Sequence, residues 1–151
     1  MIICSDIADY EWLIGEEGYA VLQELGATDV PLHTIVSRLR KRLSPSRVHL
    51  LIEQVELRRR AASKFSAAHR MFLTRTGLEQ ATDEWVARYK ANRFRQARCL
   101  STTHDTVADL CCGIGGDLSA LAEQGRAVGV DRDPVAALFA AVNTGAEVHL
   151  A

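Results

Sequence analysis

No stretch of the 151-residue chain approaches the ~18 to 20 consecutive apolar residues that a membrane-spanning helix requires. The N-terminus MIICSDIADY lacks the basic segment that opens a secretory signal. Cysteine is scarce. Four residues, two of them adjacent (Cys111 and Cys112), make neither a spaced disulfide framework nor the CxxC pairs of a zinc site. The five histidines fall at no helical or hairpin spacing, so none is assigned as a metal ligand or base. There is no internal repeat and no low-complexity linker. What is present, 48% hydrophobic and 25% charged residues, is ordinary globular composition for one full-sized domain or two small ones. A soluble protein of a reducing compartment, the cytoplasm, is the expectation.

The formal net charge of −1 conceals a block pattern. Residues 1–37 carry seven acids and no Lys or Arg, whereas residues 38–98 carry 16 of the 18 basic residues against five acids. Residues 99–151 return to acid, with Arg126 and Arg132 against seven carboxylates. A basic middle of this kind is a feature of fields and partners rather than of fold. It raises weak, salt-dependent contact with RNA as an expectation, with Arg38, Arg40, Lys41, Arg42, Arg58, Arg59 and Arg60 as the candidates.

Texture changes near residue 100. An all-helical N-terminal domain over 1–100 precedes an α/β part over 101–151. Two short helices, Asp6–Leu13 and Glu16–Leu25, are predicted, with Gly26 as a C-terminal stop and Trp12, Leu13, Tyr19, Leu22 and Leu25 on their apolar faces. Asp29 before Pro31 starts a third helix, which Ser44-Pro45-Ser46 ends while capping the fourth. Val48, Leu51, Ile52, Val55, Ala62 and Phe65 trace one face of that long fourth helix. A break at Thr74–Gly77 leads to a last helix from Thr82 to Phe94, with Trp85, Val86 and Tyr89 turned inward. The helices around Ile35–Leu39 and Val48–Val55 admit a helix-turn-helix reading, but no short glycine-containing turn joins them.

The segment Thr106–Asp117 carries the chemistry. A short apolar strand ending at Asp109-Leu110 enters a turn with Gly113, Gly115 and Gly116, then an Ala/Leu helix that stops at Gly125. A second strand, Ala127–Val130, ends at Asp131. This is a βαβ unit of a parallel sheet, in which turn glycines let backbone N–H groups approach a ligand and the acid after the second strand can accept from two ribose hydroxyls. The GxGxxG of a dinucleotide site is absent, because its last glycine would fall on Leu118, and no P-loop motif occurs. A carboxylate at Asp109 would repel phosphates and suits a cationic or amino-group ligand such as S-adenosylmethionine.

Asp109-Leu110-Cys111-Cys112-Gly113-Ile114-Gly115-Gly116, followed by Val128–Pro134 and Asn143, resembles the first two motifs of class I S-adenosylmethionine-dependent methyltransferases. The wording is closest to the RNA cap trimethylguanosine synthase group. The upstream runs Arg58–Phe65, Met71–Thr74 and Gly77–Thr82 resemble bacterial methyltransferases with a THUMP-like domain. The commoner motif has glycine at the position of Cys111. The resemblance implies a Rossmann-like domain of which residues 105–151 supply β1 to β3. It further implies cofactor contacts from Asp109, Cys111, Gly113, Gly115, Gly116, Asp131, Arg132 and Asp133, with Gln80 and Thr82 folding over the cofactor. The expectation is then an N-terminal part of an RNA methyltransferase, inactive alone and prone to self-associate through an unpaired β1 edge. The other reading is a nucleic-acid-binding helical module with an incomplete, non-catalytic cofactor domain.

Overall fold

The computed structural model describes residues 6–27, 32–98 and 106–151. Four helices, α1 (Ile7–Ile14), α2 (Glu16–Ala27), α3 (Leu32–Leu39) and α4 (Pro45–Ala61), open the chain. A 3-10 turn at Ala68–Arg70 and helices α5 (Arg75–Gln80) and α6 (Glu84–Arg98) follow. The remainder alternates as β1 (Val107–Leu110), α7 (Gly116–Gln124), β2 (Ala127–Asp131), α8 (Pro134–Thr144) and β3 (Glu147–Leu150). The three strands are parallel in the order β1-β2-β3, with Asp109 opposite Gly129 and Asp131 opposite Leu150. No described helix is long and apolar enough to cross a membrane.

The helical part is an α-bundle whose first pair is drawn tight by Gly18, where a Cβ would stand 2.4 Å from the Trp12 carbonyl oxygen. Gly26 lies inside α2 rather than ending it, and the start proposed at Asp29 lies outside the described residues. Ser44 caps α4 by accepting from the Arg47 N–H, and Pro45 occupies the first turn, where its missing N–H is harmless. Arg47 in turn reaches α1, donating to Asp9 at 3.0 Å while its guanidinium lies 4.6 Å from the Trp12 ring.

Three sequence expectations need correction. Helix α4 ends at Ala61, so Ala62 is exposed and Phe65 is buried from the following turn. The residues it buries include Leu50, Gln54, Leu57 and Arg58, because the chain at 68–73 packs on a second side of the helix that an amphipathic pattern does not anticipate. In α6 the inward residues are Ala87 and Ala91, whereas Trp85 is 75% exposed and Tyr89 62%, with Val86 also outward. Close approach of α6 to α7 requires small side chains, and the rings are excluded from it. Thr74–Gly77 is likewise not a break but the capped start of α5.

Besides the packing of α6 on α7, the tripeptide Met71–Leu73 bridges α4 and α8. Gln54 of α4 donates to the Leu73 carbonyl at 2.6 Å and accepts from the Leu73 N–H at 3.0 Å. Asn143 of α8 does the same for Phe72, at 2.9 and 2.8 Å, and also donates to the Ile114 carbonyl at 2.9 Å. Arg58 holds the Met71 carbonyl at 2.8 Å. The Phe72 ring packs 5.6 Å from Phe139 of α8, inside a core with Leu13, Leu22 and Leu51.

Gln54→Leu strands the N–H and C=O of Leu73, and Asn143→Ala strands those of Phe72 together with the Ile114 carbonyl. Each is expected to lower the unfolding free energy by ~2 to 4 kcal/mol. Urea unfolding checks this, and losses under about 0.5 kcal/mol would show the backbone groups to be satisfied in another way.

Candidate cofactor-binding site

The site is the turn between β1 and α7. Cys111 and Cys112 both direct their N–H groups at the Val130 carbonyl, at 2.8 and 2.9 Å, which stops the ladder and turns the chain away from the sheet. The turn is left-handed at Cys111 (φ 69°), Gly113 (φ 56°) and Gly115 (φ 90°). Glycine adopts such angles freely, whereas Cys111 does so against the Cβ clash that makes this region rare for other residues. Gly129 on β2 leaves room for the turn to fold back, since a Cβ there would meet Leu118 at 2.6 Å and the Cys112 sulfur at 3.0 Å.

A cavity of about 580 Å³ opens over this turn. It is lined by Gln80, Thr82, Asp109, Cys111, Gly113, Gly116, Asp131 and Arg132, eight of the ten residues the sequence singled out, together with Leu110 and Asp117. The other two stand elsewhere. Gly115 faces a separate cleft between the helical part and α7–α8, packed against Thr144 and Ala140. Asp133 is the N-cap of α8, accepting from the Val135 and Ala136 N–H groups at 2.8 and 3.2 Å.

The walls come from both parts of the molecule. The α5–α6 connection crosses the first turn of α7, so close that a Cβ at Gly116 would lie 3.2 Å from the Thr82 carbonyl oxygen. Thr82 donates to Asp117 at 2.7 Å, and Lys90 of α6 donates to the same carboxylate oxygen at 2.8 Å. Lys64 holds the far end of α5 by donating to the carbonyls of Leu78, Glu79 and Ala81. Neither Lys64 nor Lys90 stood out in the sequence, since a lysine in a basic segment carries no mark of its partner.

Electrostatically the cavity is acidic. Asp109, Asp117 and Asp131 converge, with Lys90 and Arg132 as the cations near them. Asp131 Oδ2 accepts from the Gly113 N–H at 2.7 Å and Oδ1 from the Asp133 N–H at 3.0 Å, so this carboxylate builds the turn as well as lining it. Asp109 Oδ2 is buried with no hydrogen-bond partner among the described residues. Burial first, then the neighbouring Asp117 carboxylate, push the Asp109 carboxyl above its usual range, while Lys90 and a backbone hydrogen bond from Leu118 oppose the shift. Burial also pushes the Cys112 thiol up to about 11, which makes it a packing residue rather than a nucleophile. No group of three or more His, Cys, Asp or Glu side chains among the described residues is placed to hold a metal ion.

Of the proposed RNA contacts, Arg58 is withdrawn. It is buried against Phe72 and its pKa is lowered to about 10 by desolvation. Arg38, Arg40, Lys41, Arg42, Arg59 and Arg60 are exposed.

Residues 6–61 are similar to a protein family described as a domain of unknown function (DUF8688), a match that ends with α4. No curated protein matches the chain.

An acid whose pKa is raised by folding is penalised as pH climbs from its ordinary pKa through the raised one, and the penalty persists at neutral pH. Asp109→Asn removes that penalty. The variant is expected to melt above the wild type at pH 7, the gap closing below pH ~4. A lower melting temperature at pH 7 would show the carboxylate to be a net stabiliser.

Proposed function

We propose that residues 106–151 form the cofactor-binding portion of a Rossmann-like, S-adenosylmethionine-dependent methyltransferase acting on RNA, placed behind a helical N-terminal domain. The observation that carries this reading is the unpartnered buried oxygen of Asp109 at the end of β1, beside a turn open to a ligand. A carboxylate oxygen kept buried and unpartnered beside two other carboxylates calls for a cation. The α-ammonium of the cofactor's methionine part is one.

The residues present fit that group. A Cβ at Gly113 would meet nothing within 4 Å, so a ligand has free approach to the backbone there. Asp109 would hold the amino group; Asp131, with lone pairs left beyond its two backbone contacts, would hold the ribose hydroxyls. Arg132, which lines the same cavity, would flank the adenosine, and Gln80 and Thr82 close the cavity from the helical side. Three converging carboxylates disfavour a pyrophosphate, as does the wholly buried Leu118 where a dinucleotide fingerprint needs glycine. The left-handed Cys111 stands where the commoner methyltransferase motif has glycine, the residue that angle favours.

When bound, S-adenosylmethionine supplies an electrophilic methyl group. The task left to this chain is to orient the cofactor and exclude water. No residue of residues 106–151 is assigned as a base.

Calorimetric titration of this chain with S-adenosylhomocysteine, S-adenosylmethionine and NAD tests the reading, and binding of NAD alone would overturn it. Because Asp131 also builds the turn, its ribose role needs a cycle. The wild type is expected to lose ~1.5 to 3 kcal/mol when S-adenosylhomocysteine is replaced by its 2′-deoxy analogue. Asp131→Ala should bind the two alike. An undiminished preference for the ribose form in the variant would remove the assignment.

A further inference from the structure

We propose that the outward face of α6 is a stacking platform for single-stranded RNA, with Trp85 and Tyr89 as the rings and Arg88, Arg93 and Arg95 as the phosphate contacts. The proposal shares with the reading above only the polynucleotide class of substrate, and it does not depend on the cofactor.

Two independent observations carry it. Trp85 and Tyr89 are 75% and 62% exposed on a helix whose opposite face, Ala87 and Ala91, is packed on α7. Their spacing of four puts them one above the other along a single stripe. Second, α6 holds five basic residues and one acid, Glu84. Lys90 is taken by Asp117, and Arg88 pairs with Glu84 while lying 5.8 Å from the Trp85 ring. Arg93 contacts the Tyr89 hydroxyl at 3.4 Å, and neither Arg93 nor Arg95 has an acid partner among the described residues.

Rings interleaved with guanidinium groups match a strand that offers a π-face and an anion at every step. The rise between Trp85 and Tyr89 is about 6 Å along the helix. Bases stacked in a duplex lie ~3.4 Å apart, so the two rings fit bases already unstacked. A second copy of the chain is a poor occupant, because a symmetric contact would bring Arg88, Arg93 and Arg95 near their own counterparts. The stripe begins three residues after Thr82, a wall of the cofactor cavity, so a strand held on it passes close to that site.

The test is fluorescence anisotropy of this chain with a labelled oligouridylate of about 12 nucleotides and with an RNA duplex of the same length, at about 50 and about 200 mM salt. Expected are tighter binding to the single strand, loss of affinity as salt rises, and quenching of tryptophan fluorescence that Trp85→Ala abolishes. Trp85→Ala and Tyr89→Ala should each weaken binding about fivefold or more, with Trp85→Phe close to wild type. Both rings are exposed, and far-UV circular dichroism confirms that the variants fold. The proposal is overturned by absence of binding at low salt, by a duplex bound as well as the single strand, or by alanine variants that bind as the wild type does. Self-association that Trp85→Ala abolishes, without RNA binding, would assign the face to a second copy and equally overturn it. Titration with S-adenosylhomocysteine separates the two readings, since RNA binding that needs Trp85 stands whether or not the cofactor binds.

Discussion

Buried backbone must find hydrogen-bond partners, and the segment Met71–Leu73 finds them in side chains rather than in a strand. Two amides of opposite origin do this work. Gln54 belongs to the helical bundle and Asn143 to the α/β part, and each offers one donor and one acceptor at the spacing of a peptide group. The tripeptide is therefore a splice between two architectures. Its third member is the glycine turn, because the Asn143 amide also holds the Ile114 carbonyl. An unbroken path of hydrogen bonds and chain thus runs from Gln54 of α4 through Leu73, Phe72 and Asn143 to Ile114 at the cavity wall.

The turn itself breaks several local rules at once. A non-glycine residue sits at positive φ, three carboxylates crowd one cavity, and two carboxylate oxygens, Asp109 Oδ2 and Asp117 Oδ1, are buried without a hydrogen-bond partner among the described residues. Each opposes folding, and all fall within residues 109–131. Such a concentration of strain and unpaired charge is typical of sites shaped for a ligand rather than for stability. The surrounding structure over-determines the turn to hold it: two N–H groups on the Val130 carbonyl, Asp131 on the Gly113 N–H, and Ile114 wholly enclosed beside Gly77.

The α/β part was legible in the sequence because its signals are short-range. Glycine positions and β-branched runs place β1, α7 and β2 to within a residue or two. Six of the eight proposed site residues that share the cavity do so for the same reason, since a βαβ turn brings its own ends together, whereas Gln80 and Thr82 reach it from the helical part. The helical part was less legible. Gln54 and Arg58 lie on buried positions of α4 whose partners are 13 to 19 residues away, and periodicity assigns polar residues to the outside. Trp85 and Tyr89 were placed inward by hydropathy. The packing instead selected Ala87 and Ala91, because the limiting quantity between α6 and α7 is distance and not apolar area. Lys64 and Lys90 were missed altogether, each finding its partner only across the fold.

The charge blocks acquire a spatial meaning once the fold is known. The cavity is walled by Asp109, Asp117 and Asp131, and a polyanion brought to it would meet repulsion at every phosphate. A cationic cofactor and a polynucleotide therefore cannot share one set of contacts, and a protein that handles both must keep them on neighbouring surfaces of opposite sign. Helix α6 is the boundary. Its Lys90 pairs with Asp117 of the cavity wall, while Arg93 and Arg95 lie exposed without acid partners among the described residues. With the α5–α6 connection fixed against Gly116, the basic surface cannot drift from the acidic one. On the proposed reading, a nucleophile presented by a strand on α6 would approach the cavity from its rim, with its phosphates held outside by the same carboxylates that would admit the cation.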